Sequence, residues 1–193
     1  MKILIIDFGS RFTNNVIEAI AKLHMEYDCF DYNISIEIIK EYDGIILTGS
    51  YDTIYDGGRV ADKELLNLGI PVLGICYGHQ FVHHMLGGKV VRAKYPEDGI
   101  FEIETDESKI FKDLPRKHKV EMHHNDEVIE LADNFKCIAR TENCLIAASE
   151  NPDKNIYTVQ YHPEANGNDY GIEVFKNFID IVYEEKKKIK KES

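Results

Sequence analysis

Four short runs constrain the fold more than anything else in the chain. They are "KILIID" (2–7), "GIILTGS" (44–50), "IPVLGIC" (70–76) and "IYTVQYH" (156–162). A strand with one wet face alternates apolar and polar residues. These runs scarcely alternate, so each is expected to be buried on both faces, as in a parallel sheet covered by helices. The segments between them carry helical spacing. "RFTNNVIEAIAKL" places Phe12, Val16, Ile20 and Leu23 on one stripe. "RVADKELLNL" reads as a helix, "SIEIIKE" as a short one and "YDCFDY" as a short second strand. "GHQFVHHMLGG" (78–88) is a helix stopped by glycine. "YGIEVFKNFIDIVYEEKKK" closes the chain with Phe175, Phe178, Ile179 and Val182 on one face. This β-α repetition predicts an α/β fold with a doubly wound, mostly parallel sheet. In the middle, "KVVRAK", "GIFEIET", "KVEMHH", "EVIEL", "FKCIART" and "LIAASE" are short and several alternate. They predict a small antiparallel addition to the sheet. No repeat, low-complexity stretch or long linker interrupts the 193 residues, so residues 1–193 are expected to form a single domain.

The third run ends on Cys76, and a helix begins within a residue or two. A thiol there meets unpaired backbone N–H groups and the positive end of the helix dipole, which favour thiolate. The pattern Gly74-x-Cys76-x-Gly78 has the form of a nucleophile elbow with sulfur in place of oxygen. Taken alone, the same pattern also suits a packed cysteine or a redox thiol. A nucleophile needs a base, and the fourth run supplies His162. In a doubly wound sheet reactive groups gather at the C-terminal strand ends, so Cys76 and His162 could share one rim. Glu164 follows beyond Pro163, where a carboxylate could fix the imidazole tautomer.

Charge and cysteine usage exclude several function classes. The formal net charge is −11, from 34 acidic and 23 basic residues, which makes the chain a poor nucleic-acid binder. Its one basic run, "EEKKKIKKES", reads as a solvated helix end, with a docking patch for an acidic partner as the sharper alternative. The apolar N-terminal run is too short to span a membrane and lacks a cleavage pattern, so a cytoplasmic protein is expected. Cys29, Cys76, Cys137 and Cys144 form no C-x-x-C pair, and no disulfide framework is expected. The pairs His83-His84 and His123-His124 suggest metal binding. Adjacent helical residues point about 100° apart, however, and no metal is expected. "GSYDTIYDGG" has the glycines of a phosphate loop but is acidic and lacks the G-K-[ST] ending, so the chain is expected to bind no ATP and no cofactor of its own.

"GICYGHQ" and "VQYHPE", in that order, resemble the class I (triad) glutamine amidotransferase family, and the likeness runs nearly the whole chain. The resemblance implies that Cys76 attacks the side-chain amide of L-glutamine, that His162 is the base and that Glu164 orients it. It implies an oxyanion site from the backbone of Tyr77 and the Gly49-Ser50 turn. It places Gln80 at the glutamine pocket, with "HHND" (123–126) supplying His123 and His124 to the segment that grips the substrate's α-amino and carboxylate groups. "IDFGSRFT", "LTGSYDTIYDGG", "ARTENCLIA" and "YTVQYHPEANGNDYG" are similar to the GMP-synthesising branch. That branch implies an ATP pyrophosphatase (synthetase) partner subunit that carries ATP and Mg and aminates XMP. The alternatives are an amidotransferase or γ-glutamyl hydrolase for another acceptor, or a catalytically weak regulatory or binding subunit. Three departures stand out. Gly49-Ser50-Tyr51 replaces the family's Gly-Gly-Pro, and His123-His124-Asn125-Asp126 replaces Ser-His-Gly-Asp. Ala165-Asn166-Gly167-Asn168 stands where the GMP branch has a threonine-histidine pair.

Overall fold

The computed structural model describes residues 1–193. Four of the apolar runs become adjacent parallel strands. β1 (Lys2–Asp7) pairs with β2 (Glu26–Asp31) and with β3 (Gly44–Leu47). β4 (Val72–Ile75) lies between β3 and β9 (Ile156–Val159). Beyond β9 the sheet turns antiparallel through β8 (Ala148–Asn151), β7 (Lys136–Arg140), β5 (Lys89–Thr105) and β6 (Lys117–Glu130). The spatial order is β2-β1-β3-β4-β9-β8-β7-β5-β6, one continuous sheet.

Alternate residues of the same strand feed two separate cores. Ile3, Ile5, Leu73, Ile75 and Val159 pack with Val16 and Ile20 of α1 (Thr13–Lys22) and with Phe175, Phe178 and Val182 of α4 (Gly171–Glu192). Leu4, Ile6, Leu47 and Val72 pack on the other face with Ile39 of α2 (Ile36–Ile39) and with Phe81 and Val82 of α3 (Tyr77–Met85). Full burial of both faces removes the polar half of the period-2 pattern, which is why these strands read as unbroken apolar runs. The fold is α/β with helices on both faces of the sheet. No helix is long and apolar enough to cross a membrane.

Two local readings change. "RVADKELLNL" is not an α-helix. Only Lys63–Asn67 turn, as a 3₁₀ helix, after Asp62 accepts a hydrogen bond from the Glu64 N–H at 3.0 Å. The first four of the short middle segments merge into two long strands, β5 and β6, which pair with register shifts at Lys89/Val90 and at Arg92/Glu97, while "FKCIART" and "LIAASE" give β7 and β8. At the second shift Arg92 faces Asp126 and Glu97 faces His124, so residues 93–96 bulge out opposite Asn125 alone. Pro96 sits in this bulge, where its missing N–H breaks no ladder. The bulge resets the alternation, so one strand reads as two in sequence.

Candidate active site

Cys76 is the single residue between β4 and α3, and its backbone has φ 52° and ψ −102°. Positive φ is costly for a residue with a Cβ and persists where the surroundings enforce it. Here they do. Cys76 N–H donates to the Val159 carbonyl at 2.8 Å, tying the elbow to β9. A side chain at Gly78 would lie 2.6 Å from the Leu47 carbonyl oxygen, so only glycine lets α3 start this close to β3. A second tie is His79 Nδ1 to Thr158 Oγ1 at 2.7 Å. Thr158 continues to Ser149 and on to His83 Nε2, whose other nitrogen accepts from Ala132 N–H. Burial depresses the pKa of both rings, that of His83 to about 4. This buried chain locks the helix that follows Cys76 to the strand that leads to His162.

His162 lies three residues beyond β9 and is almost fully buried. Its Nδ1 is 2.7 Å from Glu164 Oε1, and the Glu164 side chain is 0% exposed. Burial alone would lower the His162 pKa. The Cys76 charge, followed by Glu164, outweighs it and holds the ring well above the usual imidazole range. The segment carrying His162 rests on the outer edge of β6. His162 N–H donates to the Glu121 carbonyl, Glu121 N–H to Asn168 Oδ1, and Asp169 N–H to the Lys119 carbonyl. Asn168 also donates to the His162 and Ala165 carbonyls at 2.7 and 2.8 Å, closing the turn. The sequence marks Asn168 only as a departure from the family and puts Phe12 on the apolar stripe of the first helix, whereas Phe12 precedes α1 and its ring centre lies 4.9 Å from that of His162.

Of the remaining residues singled out from sequence, Ser50, Gln80, His123 and His124 line one cavity with Cys76 and His162. A Cβ on Gly49 would sit 2.9 Å from His162 Cε1 and 3.7 Å from Cys76 Cβ, so this turn is pressed against both reacting groups. Ser50 adjoins it, and its Oγ accepts from the Asp52 N–H. Tyr77 opens α3, where backbone N–H groups have no partner within the helix. Its ring is anchored away from the cavity, against Phe8 and on the Arg59 carbonyl. The cavity is about 420 Å³ and mostly polar, lined among others by Ser10, Arg11, Ser50, Gln80, Arg92 and His123. A larger depression of about 620 Å³ lies over residues 105–116 and contains no cysteine or histidine.

The two histidines of "HHND" part company. The ring of His123 stands at the cavity between Asp98 and Glu121. The ring of His124 turns inward, to Glu97 Oε1 at 2.9 Å and to the Asp126 carbonyl at 2.8 Å. Glu97, His124 and Cys144 form a buried cluster in the cavity wall. The second Glu97 oxygen takes a hydrogen bond from Thr141, which holds Cys144 N–H in turn. Glu97 went unnoticed in sequence because the bulge hides its inward phase. His83 and His84 also diverge, since His83 is buried and His84 exposed.

Residues 4–182 match the model of the glutamine amidotransferase class-I family. A protein of Macrococcus caseolyticus named GMP synthase (glutamine-hydrolysing) is 41% identical over 180 residues, covering 92% of this chain and 35% of that one. One of the same name from Staphylococcus aureus is 41% identical over 185 residues, with 94% and 36% covered. The chain thus spans about a third of the length of the curated relatives it matches. Among solved structures, a chain from Thermoplasma acidophilum, described as a candidate GMP synthase subunit, superposes with a TM-score of 0.89 at 29% identity, covering 98% of each. A glutamine amidotransferase of Thermotoga maritima shares the fold with a TM-score of 0.73 at 22% identity, covering 98% of this chain and 85% of that one.

Proposed function

The chain belongs to the class I glutamine amidotransferase family, and on that premise we propose that it is the glutaminase subunit of a two-chain GMP synthase. It hydrolyses L-glutamine to glutamate and hands ammonia to an ATP pyrophosphatase subunit, which carries ATP and Mg and aminates XMP to GMP. The observation that carries this reading is the meeting of Cys76 with the His162–Glu164 pair at one rim of the sheet, in a chain whose relatives carry the GMP synthase name. Likeness over its full length to a chain described as one subunit of such an enzyme supports a separate partner. The cytoplasm is the matching compartment for four free cysteines.

The proposed chemistry uses the groups gathered at this rim. Cys76 Sγ attacks the side-chain amide carbon of glutamine, and the carbonyl electron pair moves to oxygen. The backbone N–H groups of Tyr77 and the Gly49-Ser50 turn hold that oxyanion. His162 gives its proton to the departing nitrogen, and ammonia leaves as the thioester forms. The neutral imidazole then takes a proton from water, whose oxygen attacks the thioester and releases glutamate. Glu164 keeps the ring in place and supports its charge. A polar cavity of about 420 Å³ suits a zwitterionic amino acid.

Co-purification with the synthetase subunit, followed by XMP amination on glutamine and on ammonium, tests the proposal. GMP from either nitrogen source is expected with both subunits, and from ammonium alone when this chain is left out. Glutamine hydrolysis that never couples to XMP points instead to another acceptor or a free-standing hydrolase. No hydrolysis under any condition leaves only a binding role.

A further inference from the structure

Gln160 is a polar side chain with no exposed surface, just after β9. Its amide group makes two side-chain contacts. One end lies 3.3 Å from Gln80 Nε2 and the other 3.5 Å from Cys76 Sγ. Which end faces the sulfur decides what Gln160 can do, and the surroundings settle it. The Asp126 carbonyl, which can only accept, lies 3.1 Å from the Gln80 amide. That end of Gln80 is therefore its NH₂. The same NH₂ is the neighbour of Gln160, so the end of Gln160 it meets is oxygen. The end turned to the sulfur is consequently NH₂, a donor. Besides the His162 ring, the sulfur meets the His123 carbonyl at 3.7 Å, an acceptor that suits the thiol and opposes the anion.

We propose that Gln160 is a further catalytic residue, whose side-chain N–H holds the Cys76 sulfur when it carries negative charge, with Gln80 as the positioning residue that aims it. The proposal rests on the glutaminase reading for its place in the reaction. A hydrogen bond to an anion is stronger than one to a neutral group. The Gln160 N–H therefore contributes most at two moments. The first is before attack, when the sulfur has passed its proton to His162. The second is thioester hydrolysis, when the C–S bond breaks and its electron pair returns to sulfur. Between them the sulfur is bonded to carbon and the contact weakens, so the acyl-enzyme is not held back. The arrangement also links recognition to reactivity. The carbonyl of Asp126, in the substrate-gripping segment, fixes Gln80, and Gln80 fixes the donor at the sulfur.

The test is alkylation of the whole chain by iodoacetamide, read at Cys76 by peptide mass. Cys29, which is exposed, is the internal standard. In Gln160→Met the rate at Cys76 at pH 7 is expected to fall about tenfold, and to rejoin that of the unmodified sequence above about pH 9.5, where the thiolate forms unaided. Gln160→Glu, close in shape but offering acceptors, is expected to fall further. A packing role would not produce this pH dependence. Unchanged rates at pH 7 in both variants overturn the proposal. Should neither variant fold, Gln80→Met decides: a fall of about threefold supports the relay, and an unchanged rate overturns it. Alkylation needs no glutamine turnover, so its outcome is separate from that of the glutaminase reading. Turnover that persists undiminished in Gln160→Met would sink this inference and leave that reading standing.

Discussion

The cavity has two walls, built by opposite means. The wall from β3, β4, α3 and β9 carries Cys76, His162 and the Gly49 turn. It is held by dry apolar packing on both faces of the sheet and by buried hydrogen bonds between α3 and β9. The wall from β5 and β6 carries Arg92, Pro96, Glu97, Asp98 and the 123–126 segment, and it is made by a bulge in a half-wet antiparallel pair. The first wall positions reacting atoms and tolerates little change, because elbow strain and close approach leave no slack. The second can vary its charges without disturbing the sheet. On the proposed reading, chemistry sits where packing is over-determined, and recognition sits where it is not.

Substitutions in the first wall should therefore reduce turnover, and those in the second should change affinity. The largest effect expected is from Cys76→Ala, which should lower glutamine hydrolysis by about 10⁴-fold or more while ammonium-dependent XMP amination by the complex persists. Surviving glutamine turnover would remove Cys76 from the chemistry. His162→Ala should come next, at about 10³-fold, and Glu164→Ala behind it at about 10- to 100-fold, since orientation is only part of the rate. Equal, mild losses at both would argue against a triad. Gly49→Ala should lower kcat about tenfold, because its methyl group would press on His162.

The dryness of the first wall can be tested without an assay. Burial holds His83 near 4 against an unfolded value of 6.5, and His79 shifts the same way. Between those values the unfolded chain binds the proton and the folded chain does not. The stability that the neutral ring supports is thus whole above about pH 6.5 and is lost as pH falls towards 4. Urea unfolding at pH 5 should show about 2 kcal/mol less stability than at pH 7 from His83 alone. A flat profile would mean that the wall is wetter than its packing indicates. The smallest effect expected is in the second wall. Arg59, Arg116 and Arg140 each hold a carboxylate, whereas Arg11 and Arg92 at the cavity hold none. Arg92→Ala should raise the KM for glutamine a few-fold with kcat nearly unchanged. A fall in kcat instead would erase the distinction between the walls.

The first wall was largely legible in the sequence, for the reason that makes it rigid. Burial on both faces writes itself as "KILIID" and "IPVLGIC", the elbow as glycines around Cys76, and the rim position of His162 as a strand end. The second wall was not. The bulge at 93–96 shifts the period-2 phase, so β5 reads as two segments and Glu97 gives no sign that it faces inward. Adjacency in a strand puts His123 and His124 on opposite faces, but it does not show which ring meets the cavity and which meets Glu97. Gln160 did leave a trace, as a polar residue in a run that otherwise excludes water, and its meaning needed the neighbours Gln80 and Asp126 to be seen together.

The edge of β6 has a consequence beyond the reaction. A bare strand edge invites other chains to add to it, and proteins guard such edges with charge or cover. Here the cover over Lys119–Glu121 is the very segment that presents His162. If that segment peels away, the enzyme falls silent and in the same event offers an open template for self-association. Loss of function on warming is thus coupled to the onset of clumping, and a tightly bound substrate that steadies His162 protects against both.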